Sequence, residues 1–144
     1  MTATIGEAVE ADVSGLASLV AELGFPMTEG DIERRRRALA AFGQPALVAR
    51  DDRVVGCLTW NVMTVLHRQS PVGRISMLVV ASDHQSRGIG RSLVGEAEAR
   101  MAALGCTLIE VTSNERLERA HRFYERLGYA RTSLRFARRL EEQS

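Results

Sequence analysis

The residues best suited to chemistry in this sequence form a short polar turn, Gln85 to Arg91, which follows the apolar run 75–80 and opens a helical pattern. A junction of this kind binds anions, because the first N–H groups of a helix have no internal partner and the helix dipole adds positive potential. Gly88 and Gly90 lack side chains, so a phosphate can approach the main chain closely. We therefore predict that the turn holds the pyrophosphate of a nucleotide-type cofactor, and we favour this interpretation over a plain turn.

Two familiar phosphate-binding patterns do not fit this turn. The loop of nucleoside triphosphatases requires G-x-x-x-x-G-K-[ST], but Gln85 stands at its first glycine and Arg91 at its lysine. The dinucleotide pattern G-x-G-x-x-G fails at Leu93 and belongs near the start of a domain rather than past mid-chain. The pattern Q/R-x-x-G-x-G/A does fit residues 85–90, and it resembles the acyl-CoA pyrophosphate loop of the GNAT superfamily of N-acetyltransferases.

A second motif, in the last predicted helix, carries the same resemblance. It follows N-x(5)-A-x-x-[FL]-Y-x-x-x-G-[FY], and its fixed positions are Asn114, Ala120, Phe123, Tyr124, Gly128 and Tyr129. Two independent motifs at this separation are far more specific than either one alone. The resemblance to the GNAT family extends from Ala3 to about Phe136 and is strongest in residues 75–129.

The resemblance implies an enzyme that moves the acetyl group of acetyl-CoA directly to a primary amine of a small molecule or a peptide. The pantetheine arm is expected to pair with the strand before the turn, between two splayed parallel strands, and an N–H near Val79 or Val80 is expected to stabilise the oxyanion. The implied cofactor-binding residues are Leu78, Val79, Val80, Gln85, Ser86, Arg87, Gly88, Ile89, Gly90, Arg91, Asn114 and Tyr124.

Tyr124 matches the general acid of the family. A phenol with a pKa near 10 stays protonated at neutral pH and can donate to a departing thiolate with a pKa near 8.5. Without the motif in register, packing in the core would be the better interpretation of this aromatic residue on an apolar helix face. For Asn114, helix capping is the favoured role, with contact to the cofactor arm as the alternative.

The general base is where the sequence departs from the family. Many members carry a carboxylate on the strand before the turn, but this strand has Ser76 and Met77 there. Glu110 on the next predicted strand is one candidate, Asp83 or His84 in the loop are others, and a chain of water molecules is the remaining alternative.

The elements that must position these residues follow the order β α α β β β α β α β, with one further strand as an option. Gly105 and Gly128 are expected to end the third and fourth helices. The strands predicted at 74–81 and 106–112 are joined by a helix and should be parallel neighbours. We therefore expect an α/β fold in which a mixed sheet of about six or seven strands is flanked by four helices. The last one or two strands are expected within Tyr129 to Leu140.

Composition and charge restrict the class of protein. The chain has 144 residues, 45% of them hydrophobic and 26% charged, with a net charge of +1. This fits one N-acetyltransferase domain over residues 1–144 and offers no overall field that would recruit nucleic acid or a membrane. No signal peptide or apolar run of membrane-spanning length is evident, so we expect a cytoplasmic protein. A homodimer formed through the outer strands is a candidate assembly.

Two further features bear on chemistry. The three histidines have no metal-binding spacing, so no metal is expected. Cys57 and Cys106 lie in apolar runs and are expected to be buried free thiols rather than a disulfide. An acyl-CoA-binding module without catalysis is the alternative function, and a nucleotide-binding protein of another type is the third.

Overall fold

A computed structural model describes residues 3–112 and 118–141. The chain falls into two compact units, Met1–Val111 and Thr112–Ser144. The first unit contains a five-stranded sheet and three α-helices, and the second contains the last helix. The strands are β1 Thr4–Glu7, β2 Leu47–Arg50, β3 Val54–Met63, β4 Val72–Val80 and β5 Leu108–Val111, and the helices are α1 Val13–Glu22, α2 Glu29–Ala41, α3 Ile89–Ala103 and α4 Glu118–Arg126.

The prediction of six or seven strands is wrong, because the described part of the chain forms five. Residues 129–140, in which one or two final strands were expected, belong to no strand. Leu134 and Phe136 suggest alternation in the sequence, but both side chains are exposed, 78% and 91%. Alternation predicts a strand only where one face is buried against a core, and this segment has no buried face.

The sheet is mixed, as the sequence indicates. The strand order is β1-β2-β3-β4-β5, the first three pairings are antiparallel, and β4 pairs with β5 in parallel. Helix α3 makes the crossover between the two parallel strands, because parallel neighbours cannot be joined by a tight turn. The predicted parallel pair is therefore confirmed.

Helix α3 packs closely on β3 and β4 because glycines leave room for it. A Cβ at Gly73 would clash with the side chain of Met101, and a Cβ at Gly56 would lie 3.0 Å from side-chain atoms of Ile89 and Leu93. The helix contributes Leu93, Val94, Ala97 and Met101 to the core, each at most 1% exposed. This packing fixes the start of α3 against the end of β4.

The first two helices differ in their N-caps: a side chain caps α2 by a hydrogen bond, whereas α1 has no such bond. Thr28 is the N-cap of α2, and its Oγ1 accepts a hydrogen bond from Asp31 N–H at 3.0 Å. Asp12 holds the N-cap position of α1, but its carboxylate accepts hydrogen bonds from Val9 N–H and from Arg50 instead. Burial opposes ionisation of Asp12, yet these hydrogen bonds leave its pKa below the usual value.

The structure bears on two further expectations, one about the two cysteines and one about membrane-spanning segments. Cys57 and Cys106 are both buried and unpaired, as expected. Burial raises the pKa of Cys57 to about 12, so this thiol is unreactive. None of the helices in the described residues has the length and apolarity needed to cross a membrane.

Candidate functional site

The turn between β4 and α3 has the geometry of an anion site. Gly88 is the N-cap of α3 and adopts a left-handed conformation, with φ at +80°, that suits glycine. Hydrogen bonding within the helix begins when Ser92 N–H donates to Gly88 O at 3.0 Å. The N–H groups of Ile89, Gly90 and Arg91 therefore have no acceptor within the helix. Apart from its neighbours in sequence, no described residue lies within 4 Å of the place where a Cβ of Gly88 would stand, so these residues leave the approach to the N–H groups open.

The residues before the helix form an exposed, strained loop. Ser86 has φ at +66°, and it is the one described residue other than glycine with a positive φ. Gln85, Ser86, Arg87 and Gly88 are all exposed. The Gln85 side-chain amide donates to Val80 O at 3.4 Å, a long hydrogen bond that joins the loop to the end of β4.

The two parallel strands pair over only half of β4. The register joins Val72 to Leu108 and ends with Ile75 opposite Val111. Among the described residues, no strand pairs with residues 76–80 on that side of β4. The splayed opening that the sequence predicts therefore begins directly after Ile75 and leads toward the anion loop.

The main chain of β4 shows which groups face this opening. Ala81 N–H donates to Val55 O at 2.8 Å, so it points toward β3. Successive peptide groups of a strand point to opposite sides, so the N–H and C=O groups of Val80 and Leu78 point away from β3. Of the two residues that sequence reasoning named for the oxyanion, Val80 has the suitable direction and Val79 does not.

A β-bulge lies in β4 at the mouth of the opening. Thr59 of β3 is opposite Met77 and Trp60 is opposite Ile75, which leaves Ser76 as the extra residue. The hydroxyl oxygens of Ser76 and Thr59 are 2.8 Å apart, within hydrogen-bond distance. Bulges concentrate near active sites because they redirect side chains. Sequence reasoning missed this pair, since nothing in the local pattern marks a bulge.

A network of charged side chains lies behind the anion loop. His84 is 7% exposed, its Nε2 is 3.3 Å from Asp51 Oδ2, and its Nδ1 is 2.9 Å from Asp83 Oδ1. Arg53 donates from Nη2 to both oxygens of Asp83 at 2.8 Å. The hydrogen bond with His84 and the ion pair with Arg53 lower the pKa of Asp83 to about 2. Asp51 and Arg53 lie in the β2–β3 turn, so sequence spacing could not reveal them.

The same cluster offers ligand types that metals use. Atoms of Asp51, Asp52 and His84 lie within 4.8 Å of one another. Both ring nitrogens of His84 already face carboxylate oxygens, however, and Arg53 contributes a positive charge beside them. Ion pairing within the network accounts for this arrangement without a cation.

Tyr124 lies in the second unit, on α4. Its ring contacts Phe123 and Tyr129 edge to face, with centroids 5.2 and 5.9 Å away. Burial raises the pKa of Tyr124, so the phenol holds its proton at neutral pH. Asn114 lies outside the described residues. The roles that sequence analysis gave to Tyr124 and Asn114 stay predictions.

The candidate bases lie in different surroundings. Glu110 is an exposed residue of β5, opposite Arg74 in the parallel register, one pair before the strands separate. Asp83 is a poor base because a carboxylate with a pKa of about 2 has little affinity for a proton. His84 is engaged on both ring nitrogens. Glu110 is therefore the better placed of the three.

Comparisons with known proteins identify the same family that the two sequence motifs resemble. The family model described as acetyltransferase (GNAT) family matches residues 17–129. The aminoalkylphosphonate N-acetyltransferase of Salmonella typhimurium is 34% identical over 94 residues. That match covers 65% of this chain and 61% of the relative, so the chain matches less than two thirds of the relative's length.

Solved structures match nearly the whole chain. A transcriptional regulator from Bacillus halodurans C-125 aligns with a TM-score of 0.87 at 25% identity, covering 96% of this chain and 99% of that one. Glucosamine-6-phosphate N-acetyltransferase from Arabidopsis thaliana aligns with a TM-score of 0.80 at 18% identity, covering 98% and 100%. The second likeness shows the fold alone.

Proposed function

Because the chain belongs to the acetyltransferase (GNAT) family, we propose that it transfers the acetyl group of acetyl-CoA directly to a primary amine. The observation that carries this proposal is the open N-terminus of α3 beside the unpaired half of β4. These two features would hold the two ends of one extended cofactor. The family model spans both compact units, which supports treating residues 1–144 as one acetyltransferase domain.

Cofactor binding would begin at the anion loop. The N–H groups of Ile89, Gly90 and Arg91 donate to pyrophosphate oxygens, and the helix dipole adds to their attraction. The exposed side chains of Arg87 and Arg91 add charge, since hydrogen bonds between charged groups are about twice as strong as neutral ones.

The pantetheine arm would then lie along β4 as an additional strand. Leu78 and Val80 present the donors and acceptors that its amides need, because their peptide groups face the opening. Of these groups, Val80 N–H is our choice for the donor that stabilises the tetrahedral oxyanion, which leaves Val80 C=O and the groups of Leu78 for the pantetheine amides. The hydrogen bond from the Gln85 side chain to Val80 O is long and therefore weak. It would break when the cofactor binds, and Val80 O could then accept a hydrogen bond from the cofactor.

Proton transfer completes the mechanism. Tyr124 donates a proton to the departing thiolate, and its raised pKa keeps that proton in place until the thiolate forms. Glu110 accepts a proton from the acceptor ammonium, either directly or through water, which leaves the free amine to attack. The second proton that the nitrogen loses as the amide forms restores the Tyr124 phenol. The β4 bulge contributes no carboxylate to this step, because Ser76 and Met77 stand there.

A small amine that carries an acidic group is the first acceptor to test. The relative named aminoalkylphosphonate N-acetyltransferase supports this choice. The assay measures release of free CoA thiol with aminoalkylphosphonates, amino sugars, polyamines and peptide N-termini as acceptors. We expect turnover with at least one of these amines and only slow hydrolysis without an acceptor. Absence of turnover with every acceptor would contradict the enzymatic proposal.

An acyl-CoA sensor without catalysis is the second candidate function. The similarity to a protein named as a transcriptional regulator and the missing carboxylate on β4 favour it. Calorimetry separates the two functions when it is combined with the acceptor assay. Binding of acetyl-CoA together with hydrolysis alone would favour the sensor, whereas acceptor-dependent release of CoA would exclude it.

A further inference from the structure

Four side chains join the β2–β3 turn to the loop that precedes α3, and we name them the turn clamp: Asp51, Arg53, Asp83 and His84. The contacts run in series from Asp51 through His84 and Asp83 to Arg53, at 3.3, 2.9 and 2.8 Å. The first and last members belong to the turn, and the middle two belong to the loop. The clamp therefore fixes one segment of the chain against another that is about thirty residues away in sequence.

Burial separates the inner half of the clamp from its outer half. The side chains of His84 and Asp51 are 9% and 11% exposed, whereas those of Asp83 and Arg53 are 61% and 49% exposed. Asp51 Oδ1 is buried and has no hydrogen-bond partner among the described residues. His84 is therefore the main compensation that Asp51 receives, and a buried carboxylate without compensation is costly.

The clamp ends where the strained part of the loop begins. Ser86, two residues after His84, holds a left-handed conformation that non-glycine residues rarely adopt. Such a conformation persists only when surrounding contacts determine it. A small cavity lined by Asp51, His84, Arg87 and Gly88 shows that the clamp and the anion loop share a boundary.

We propose that His84 is a positioning residue, which through the turn clamp holds the loop 85–91 in the shape that receives the coenzyme A pyrophosphate. This inference rests on the proposed function. A loop held in its binding shape does not lose conformational freedom when the ligand arrives, so affinity rises. The clamp acts on binding and not on the thioester, which lies at the other end of the cofactor.

The test compares two clamp variants, His84→Gln and Asp51→Asn, with Asp52→Asn as the matched control. Asp52 lies in the same turn, is 72% exposed and pairs with Arg53 at 3.5 Å. Its carboxylate lies within 4.8 Å of His84, but no hydrogen bond or ion pair joins the two among the described residues. We expect the KM and the calorimetric Kd for acetyl-CoA to rise about tenfold in the clamp variants, as for the loss of one or two hydrogen bonds to a charged group. The kcat at saturating acetyl-CoA and the KM for the acceptor should stay within about twofold of wild type, as should every constant of Asp52→Asn.

If the clamp residues only maintain the folded state, their variants should show a different pattern of kcat and KM. Loss of folded protein lowers kcat and leaves the KM for acetyl-CoA unchanged, and that result in the clamp variants would overturn the inference. Arg53→Gln removes an exposed member and should preserve folding if the buried variants do not. We expect it to raise the Kd about threefold, as for a weak exposed ion pair, and an unchanged Kd would also count against the clamp.

The wild-type measurement separates the two proposals. If the wild-type protein binds no acetyl-CoA by calorimetry, the proposed function fails and this inference fails with it. If wild type binds acetyl-CoA and the variants bind it equally well, only the clamp is wrong.

Discussion

Tyr124 gives the sharpest prediction at the scale of single residues. Replacing it with phenylalanine removes the phenol proton but keeps the ring and its contacts. We expect kcat to fall about a hundredfold or more, as for loss of a general acid, while the Kd for acetyl-CoA changes little. The measurement is steady-state turnover together with calorimetric binding.

Tyr129 provides the matched control for this substitution. Its ring lies edge to face with that of Tyr124, at 5.9 Å, so Tyr129→Phe makes the same chemical change in the same unit. Full activity of Tyr129→Phe with loss in Tyr124→Phe supports the assignment. Equal activity of the two variants would remove Tyr124 from the mechanism.

The lowered pKa of Asp83 predicts that the free energy of unfolding depends on pH. Its pKa in the folded protein is lowered to about 2, first by the hydrogen bond with His84 and then by Arg53. The unfolded value is near 3.9, so its contribution to stability is fully present above about pH 4 and is lost as pH falls through about 2. We expect Asp83→Asn to be less stable than wild type at pH 6, with a difference that shrinks below pH 4. Urea unfolding at several pH values measures this, and a difference that stays constant down to pH 2 would contradict it.

The sequence predicts some of these residues and not others. Gly88, Gly90 and Tyr124 stand in motifs whose residue types are dictated by local conformation or chemistry. The partners of His84 could not be predicted, because Asp51 is 33 positions away and only the sheet pairing brings it close. The Ser76–Thr59 contact depends in the same way on a register shift between two strands.

Among the helices, α3 offers two glycines, its N-cap Gly88 and its interior residue Gly95, for which the same substitution should have opposite effects. Gly88 has φ at +80°, so Gly88→Ala is expected to destabilise the fold by about 1 kcal/mol and to weaken acetyl-CoA binding. Gly95 lies within the helix, and outside the helix's own backbone no atom of the residues that the structure describes is within 4 Å of a Cβ placed there. Gly95→Ala is therefore expected to stabilise the fold by about 0.5 to 1 kcal/mol.

Urea unfolding and calorimetry measure both effects. Gly95→Ala also serves as the control for binding, because it changes α3 without touching its first turn. If Gly88→Ala does not lower the free energy of unfolding, the assigned conformation at Gly88 is wrong, and if Gly95→Ala lowers it, the expectation for Gly95 is wrong.

Most helix and strand positions follow from local signals, and the exceptions have physical reasons. The sequence predicts the order of the helices and the end of α3 at Gly105, because α3 buries one apolar face and glycine commonly ends a helix. One or two strands were predicted within Tyr129 to Leu140, and these residues form no strand in the described part of the chain. A strand requires a partner with free backbone groups, and the residue pattern alone carries no information about that partner.

For the whole molecule, the proposed binding of acetyl-CoA predicts which ligand stabilises the fold. A ligand that binds only the native state raises its stability by mass action. We expect acetyl-CoA at about one hundred times its Kd to raise the unfolding temperature by about 5 to 10 °C. ATP and NAD at equal concentration should have much smaller effects, since neither supplies a pantetheine arm for β4. A larger shift with NAD or ATP would favour a nucleotide-binding function of another type.

The family assignment itself was accessible from the sequence because it rests on two local motifs at a fixed separation. The acceptor was not, because an acceptor pocket is built from side chains of several elements and has no compact signature. The acceptor assay decides among the candidate amines.

The most direct test of the central claim is a crystal structure of the protein with acetyl-CoA bound. We expect oxygen atoms of the pyrophosphate to lie within about 3 Å of the backbone nitrogens of Ile89, Gly90 and Arg91. We also expect that the pantetheine amides bond to Leu78 and Val80, and that the Tyr124 hydroxyl lies beside the sulfur. A pyrophosphate bound away from the start of α3, or a sulfur far from Tyr124, would contradict the account.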